Sequence, residues 1–137
     1  MLMRRCVLAL AFAASSVEGG CHGSSTAPTP TPLAAGRWAG GGACLTVSDP
    51  TCDLVIGCGH GQFPRPMVRS DGTFDADGTY RIEAGPVSID PAPPAHFSGL
   101  VSGSRLMLTV APTATGSAPM SYLLVLSGAG RCTVPCV

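Results

Sequence analysis

Lysine is absent from this chain of 137 residues, and charged residues of every kind are scarce. All eight cations are arginines, eight carboxylates balance them, and charged residues make up 12% of the sequence. No block of like charge stands out along the chain. Because a nucleic-acid-binding domain shows a basic patch or stripe, we expect no nucleic-acid partner.

Long apolar runs are also missing. The run Cys6–Ala14 is shorter than the roughly 20 apolar residues that a membrane-spanning helix needs. Leu106–Val110 is interrupted by Thr109, and Tyr122–Leu126 is only five residues long. We therefore predict that the mature protein has no membrane-spanning helix.

Helical periodicity is the third absence, because 18 glycines and 13 prolines interrupt the windows in which an amphipathic helix would form. Short runs of β-branched and large apolar residues recur instead, which is typical of strands. We predict strands at Arg37–Ala39, Cys44–Val47, Cys52–Ile56, Pro66–Arg69, Thr79–Glu83, Val87–Ile89, Ala95–Val101, Arg105–Val110, Ser121–Leu126 and Arg131–Val134.

Turn signals separate these runs at the spacing of a small all-β domain. Phe97–Val110 is predicted to form a hairpin, because apolar residues alternate on both sides of a turn that contains Gly103. Asp75–Gly78 carries Asp and Gly, and we predict a second tight turn there. A spacing of roughly 8–12 residues between turns favours a small antiparallel up-and-down barrel. A β-sandwich produces the same alternation and is the alternative.

The N-terminus has the layout of an export signal. Arg4 and Arg5 precede the apolar run Cys6–Ala14, and small residues lead to Cys21. A stretch rich in Ser, Thr and Pro follows, which is stiff, extended and unable to form a core. We divide the chain into a signal peptide at 1–20, a tether at 21–35 and one all-β domain at 36–137.

Gly20-Cys21 and the tether that follows resemble the N-terminus of bacterial lipoproteins. Glu18 departs from that family's pattern, which has Leu, Val or Ala three residues before the cysteine. The resemblance implies that Cys21 is the lipid attachment site, acylated with palmitate-type chains. It also implies an outer-membrane lipoprotein that faces the periplasm or the cell surface. The alternative is ordinary signal-peptidase cleavage after Gly19, which would give a soluble periplasmic or secreted protein.

Gly36-Arg37-Trp38 opens the first predicted domain strand, and Arg131 lies in the last. This arrangement resembles the start and end of the lipocalin and avidin-like (calycin-type) group. The resemblance implies a barrel closed by the guanidinium of Arg131 stacked on the indole of Trp38. A plain core position for Trp38 is the alternative. Phe97–Gly103 also resembles strands of small exported bacterial lipoproteins, a likeness that specifies no activity.

Five cysteines lie in the predicted domain, where disulfides would stabilise an exported fold by restricting the unfolded chain. We predict that Cys132 pairs with Cys136 and Cys52 with Cys58, which leaves Cys44 over; the sequence leaves the connectivity open. The same thiols and His60 have the softness of zinc ligands. Because an oxidising compartment favours disulfides, we predict no metal site.

Candidate catalytic residues are present without a defining motif. Ser48, Asp53 and His60 could form a triad, but no Gly-x-Ser-x-Gly elbow accompanies them. We interpret Asp71, Asp75 and Asp77 as turn residues, since the pattern of a calcium-binding loop is absent. We predict a protein that is not an enzyme and needs no cofactor. A hydrolase or metal-dependent enzyme would require His60 or His96.

The sequence thus predicts a membrane-tethered ligand-binding or interaction module. Its expected partners are the membrane, through the lipid anchor, and either a small apolar ligand or an envelope protein. Barrels bind ligands at their mouths, so the loops Ile56–Pro66 and Ile89–Pro94 are the predicted rim. Two alternatives are a structural cell-envelope protein without a ligand and a secreted barrel similar to protease inhibitors.

Overall fold

A computed structural model of the chain describes residues 23–24, 26–83, 91–113 and 116–132. Within these residues every regular element is a β-strand. The strands are β1 Thr31–Pro32, β2 Gly36–Gly40, β3 Ala43–Val47, β4 Thr51–Ile56, β5 Gly59–Pro64, β6 Met67–Val68, β7 Thr73–Ile82, β8 Pro94–Ser102, β9 Arg105–Pro112 and β10 Met120–Leu126.

Eight of these strands close into an antiparallel barrel in the order β10-β2-β3-β4-β5-β7-β8-β9. Each barrel strand pairs with the barrel strands that precede and follow it along the chain, and β10 pairs with β2 to close the barrel. The predicted small up-and-down barrel is therefore confirmed. The architecture is compatible with the calycin-like fold that the resemblance implied.

The barrel follows from alternation along each strand, because successive side chains of a strand point to opposite faces. The predicted hairpin is confirmed: Phe97 lies opposite Val110, and Val101 lies opposite Leu106. Alternate positions of both strands turn inward and are buried. The inward side chains form one apolar core that includes Trp38, Leu45, Leu54, Phe63, Phe74, Phe97, Leu106, Leu108, Val110 and Leu124.

Aromatic rings fill the interior against glycines on facing strands. The rings of Phe63 and Phe97 stack with their centroids 4.3 Å apart. A Cβ atom added at Gly61 would lie 3.1 Å from the Phe97 ring, and one added at Gly99 would overlap the Phe74 ring. These glycines are needed because large side chains occupy the space opposite them. The middle of the barrel is therefore packed core.

Two segments that were predicted to be a turn and a loop form strands in the structure. Asp75–Gly78 is not a turn but the centre of the continuous strand β7. A Cβ atom at Gly78 would collide with the Gln62 carbonyl oxygen of the adjacent strand β5, so close approach, and not turn geometry, explains this glycine. The predicted rim loop Ile56–Pro66 mostly forms β5, whose glycines face the crowded interior.

Other predicted strands differ in extent. The prediction at Pro66–Arg69 shortens to β6, and Thr79–Glu83 is the end of the longer strand β7. Arg131 and Cys132 are not in a strand, so the prediction is wrong for them. Val87–Ile89 and residues 133–134 lie outside the described residues.

Residues 31–34, which we call the plug, cover one end of the barrel, and we call this end the closed end. β1 pairs with β6, and the side chain of Leu33 is only 1% exposed. The Leu33 amide donates to the Pro66 carbonyl (3.0 Å), and Arg65 Nε donates to the Leu33 carbonyl (2.8 Å). The Trp38 indole donates to the Ala34 carbonyl (3.0 Å). Residues 31–34, which we assigned to the tether, thus belong to the folded unit.

The predicted disulfides Cys132–Cys136 and Cys52–Cys58 are both wrong. Cys132 bonds to Cys44, which lies 88 positions earlier on the outer face of β3. Cys52 is a buried free thiol inside the barrel, and Cys58 is disulfide-bonded. Alternation explains both outcomes: Cys44 points outward within reach of the chain that follows β10, whereas Cys52 points into the core. Cys136 lies outside the described residues.

Candidate functional site: the open end of the barrel

Among the described residues, the end opposite the plug, which we call the open end, carries an apolar depression of about 410 Å³. It lies where β7 and β9 finish and where β8 and β10 begin. Its lining combines strand-end residues with two prolines that precede or end strands. The lining residues are Tyr80, Arg81, Ile82, Pro93, Pro112, Ser117, Ala118 and Met120.

The floor of this depression includes Tyr80, which is largely withdrawn from solvent. Tyr80 is 8% exposed, and its ring fills the space beside Gly59. Burial, helped by neighbouring Tyr122, raises the pKa of Tyr80, so its phenol is neutral at physiological pH. Beside it, the Met120 sulfur accepts a hydrogen bond from the Tyr122 hydroxyl at 3.6 Å. The floor therefore presents uncharged ring and thioether atoms.

The rim adds one charge pair. Arg81 donates from Nε to Glu83 Oε1 at 3.0 Å, and its Nη2 lies 2.8 Å from the same oxygen. Ile82, 62% exposed, stands between these two residues in the chain. A neutralised guanidinium beside exposed aliphatic carbon suits a ligand that is mainly apolar.

Part of the predicted rim coincides with this depression. Pro93 from Ile89–Pro94 lines the depression, whereas Ile89 and Asp90 lie outside the described residues. Ile56–Pro66 contributes no lining residue. Sequence reasoning missed Pro112 and Met120. The signal was present in the apolar residues that flank the turn between the last two predicted strands.

The residues considered for a triad lie on the outer wall, not at the open end. Ser48, Asp53 and His60 all line one surface depression of about 390 Å³. However, each of the three side chains contacts a residue outside this group. Ser48 Oγ donates to the Thr51 carbonyl (3.0 Å), and Asp53 Oδ1 accepts from Gln62 (3.1 Å). His60 Nε2 is 3.9 Å from Glu83 Oε2. The arrangement is a polar sheet surface with no nucleophile–base hydrogen bond among the three.

The three clustered aspartates have separate partners. Asp71 Oδ1 accepts from the Thr73 amide (3.0 Å) and hydroxyl (2.6 Å), and these bonds lower the pKa of Asp71. Asp75 pairs with Arg69, which donates a hydrogen bond and lowers the pKa of Asp75. Asp77 Oδ1 lies 2.8 Å from His96 Nδ1. Among the described residues no group of three His, Cys, Asp or Glu side chains is placed to hold a metal ion.

Trp38 and Arg131 lie on opposite faces of the barrel wall. The Trp38 side chain is fully buried in the core. Arg131 lies beyond β10 on the outer wall, next to the disulfide-bonded Cys132 and the β3 residue Thr46. The only ring contact between described residues joins Phe63 and Phe97. The end nearest Trp38 is closed by Leu33 and Arg65.

The predicted lipid attachment site, Cys21, lies outside the described residues. In the described part of the chain, no helix has the length and apolar character needed to cross a membrane.

No family model matches the chain, and comparison with curated proteins and with solved structures finds no match.

Proposed function

We propose that this protein is an exported lipoprotein whose barrel domain binds a small, mainly apolar ligand at its open end. The observation that carries the proposal is the difference between the ends: Leu33 seals one, whereas the other has an apolar depression of about 410 Å³. A depression of this size and lining is typical of small-molecule sites. The packed interior supports binding at the mouth and not deep in the barrel.

A fluorescent apolar probe, N-phenyl-1-naphthylamine, tests the ligand proposal. We expect saturable binding to the purified chain, weakened by Ile82→Asn in the mouth. The matched control is Met67→Asn, which makes the same kind of change at an exposed position of β6, away from the mouth. Loss of one aliphatic contact should lower affinity about tenfold for Ile82→Asn and leave it unchanged for Met67→Asn. Absence of saturable binding, or equal loss in both variants, would contradict the proposal.

A structural envelope protein without a ligand is the second candidate. The stacked rings of Phe63 and Phe97 and the crowded glycines around them favour it, because they leave the barrel interior filled. Failure of the probe to bind, together with reproducible cross-linking to one envelope protein in intact cells, would favour this candidate.

The lipoprotein part of the proposal is supported by the N-terminal pattern around Cys21. The intact mass of protein extracted from bacterial membranes tests it. A mass of Cys21–Val137 plus acyl chains is the expected result. An unacylated mass that begins before Cys21 would replace the membrane tether with a soluble exported protein.

A further inference from the structure

The outer wall of the barrel has an aliphatic side. Side chains of Leu100, Met107 and Leu123 form one cross-strand row on β8, β9 and β10, because Met107 is in register with both others. They are 51%, 44% and 49% exposed, and Val125 beside them is 44% exposed. Large apolar side chains in a contiguous exposed row are unusual on a monomeric surface and mark an interaction site.

Arginines border this row on the side of the closed end. Arg105 lies in register with Val125, which pairs in turn with Ala39 of β2. Arg37 lies two residues before Ala39 on the same outward face, and its Nε donates to Ser127 Oγ at 3.1 Å. We call these six residues the arginine–aliphatic face: Leu100, Met107, Leu123, Val125, Arg37 and Arg105. Arg131 lies outside this face, in the depression that it shares with Asp53 and His60.

These two arginines differ from the others at the closed end. Arg65 pairs with Asp49 and Arg69 pairs with Asp75, so each of these guanidinium groups is neutralised by a carboxylate. Among the described residues, Arg37 and Arg105 form no ion pair with a carboxylate. Their positive charge is left for an external anion.

The combination identifies the chemistry of the partner. A guanidinium forms bidentate hydrogen bonds with phosphate, and exposed aliphatic side chains insert between lipid chains just below the headgroups. The chain also enters the fold at this end, since residues 26–30 lead into β1. We propose that the arginine–aliphatic face docks on an anionic phospholipid surface, with its arginines on lipid phosphates. This goes beyond the ligand proposal and does not depend on it.

Cosedimentation with vesicles tests this docking. The purified full chain is mixed with vesicles of phosphatidylcholine alone or of phosphatidylcholine with phosphatidylglycerol. We expect stronger binding to the anionic vesicles, weakened by salt. Replacing Arg37 and Arg105 together with Gln should reduce that binding about thirtyfold, and Arg105→Gln alone about fivefold. Because the N-terminal segment with Cys6–Ala14 is the same in every variant, a difference between variants comes from the substituted arginines.

Arg69→Gln is the matched control, since it removes one guanidinium from the same end but from a side where Asp75 pairs with it. We expect less than a twofold effect. Equal binding to both kinds of vesicle, or equal loss in Arg69→Gln and Arg105→Gln, would overturn the proposal. So would self-association in sedimentation that Leu123→Asn abolishes without changing vesicle binding, because the face would then join two copies. Probe binding at the open end is measured separately and is independent of each outcome.

Discussion

The two ends of the barrel are built from the same eight strands but differ in what covers them. At the closed end the chain before β2 folds back, buries Leu33 and gives its backbone carbonyls to Arg65 and Trp38. At the open end the prolines and Met120 leave a depression above Tyr80. The barrel wall alone therefore does not make its two ends different. Among the described residues, the segment before β2 does so by covering one of them.

The largest expected effect comes from the disulfide that fastens the chain beyond β10 to β3. The double variant Cys44→Ala/Cys132→Ala releases a closed loop spanning 88 positions. We expect the free energy of unfolding to fall by about 4 kcal/mol, because the unfolded chain regains loop entropy. Guanidinium denaturation measures this loss. Thr46→Val is the control: it removes the hydroxyl hydrogen-bonded to Cys132 but keeps the disulfide, and should cost about 1 kcal/mol. Equal losses would contradict the expectation.

The plug itself gives the next effect. Leu33→Ala empties a buried site and should lower the free energy of unfolding by about 3 kcal/mol. Ile82→Ala makes a similar truncation at the open end, where the side chain is 62% exposed, and should change stability by less than about 0.5 kcal/mol. Denaturant midpoints of the two variants provide the measurement. Similar midpoints would show that the ends do not differ energetically as described.

The alkylation rate of Cys52 measures how well the closed end is shielded from solvent, and measuring it requires no unfolding of the protein. Burial raises the pKa of the Cys52 thiol to about 12, against opposing attraction from nearby Arg65. Compared with an ordinary thiol, its thiolate fraction at pH 8 is lower by about a thousandfold, and native alkylation should be correspondingly slow. Mass spectrometry of the Cys52 peptide after iodoacetamide treatment measures the rate. We expect Leu33→Ala to speed labelling and Ile82→Ala to leave it unchanged; fast labelling of the native protein would disprove the shielding.

The smallest expected effect is a loss of stability at acid pH. Hydrogen bonds lower the pKa of both Asp71 and Asp75 in the fold, so their stabilisation is present above the ordinary carboxyl pKa and disappears as pH falls through the lowered values. Between about pH 5 and about pH 2 the melting temperature of the wild type should fall more than that of Asp71→Asn/Asp75→Asn. Asp53→Asn, for which Gln62 is the neighbour, is the control. Parallel declines would contradict the assignment.

The sequence predicted most of the wall and little of its ends. β2, β3, β4, β8, β9 and β10 were predictable because their apolar residues alternate at the period of a strand. β5 was missed because its inward positions Gly59 and Gly61 are glycines, which add no apolar side chain to the alternating pattern. Glycine is needed there because aromatic rings occupy the adjacent space. The plug was missed because its prolines resemble those of a tether. The mouth was only partly found, since its lining comes from the ends of four strands.

By itself the sequence determined the class of fold, the near-neutral charge and the export-like N-terminus, because composition and periodicity are local properties. Only the tertiary structure decided which cysteines meet, which end is sealed and which arginines have no carboxylate partner among the described residues. Cys44 and Cys132 are brought together by closure of the barrel, and no spacing along the chain encodes that distance. The pairing of β9 with both β8 and β10 aligns Leu100, Met107 and Leu123 on one face. Such contacts depend on where strands lie around the barrel, which the pattern of any single strand does not contain.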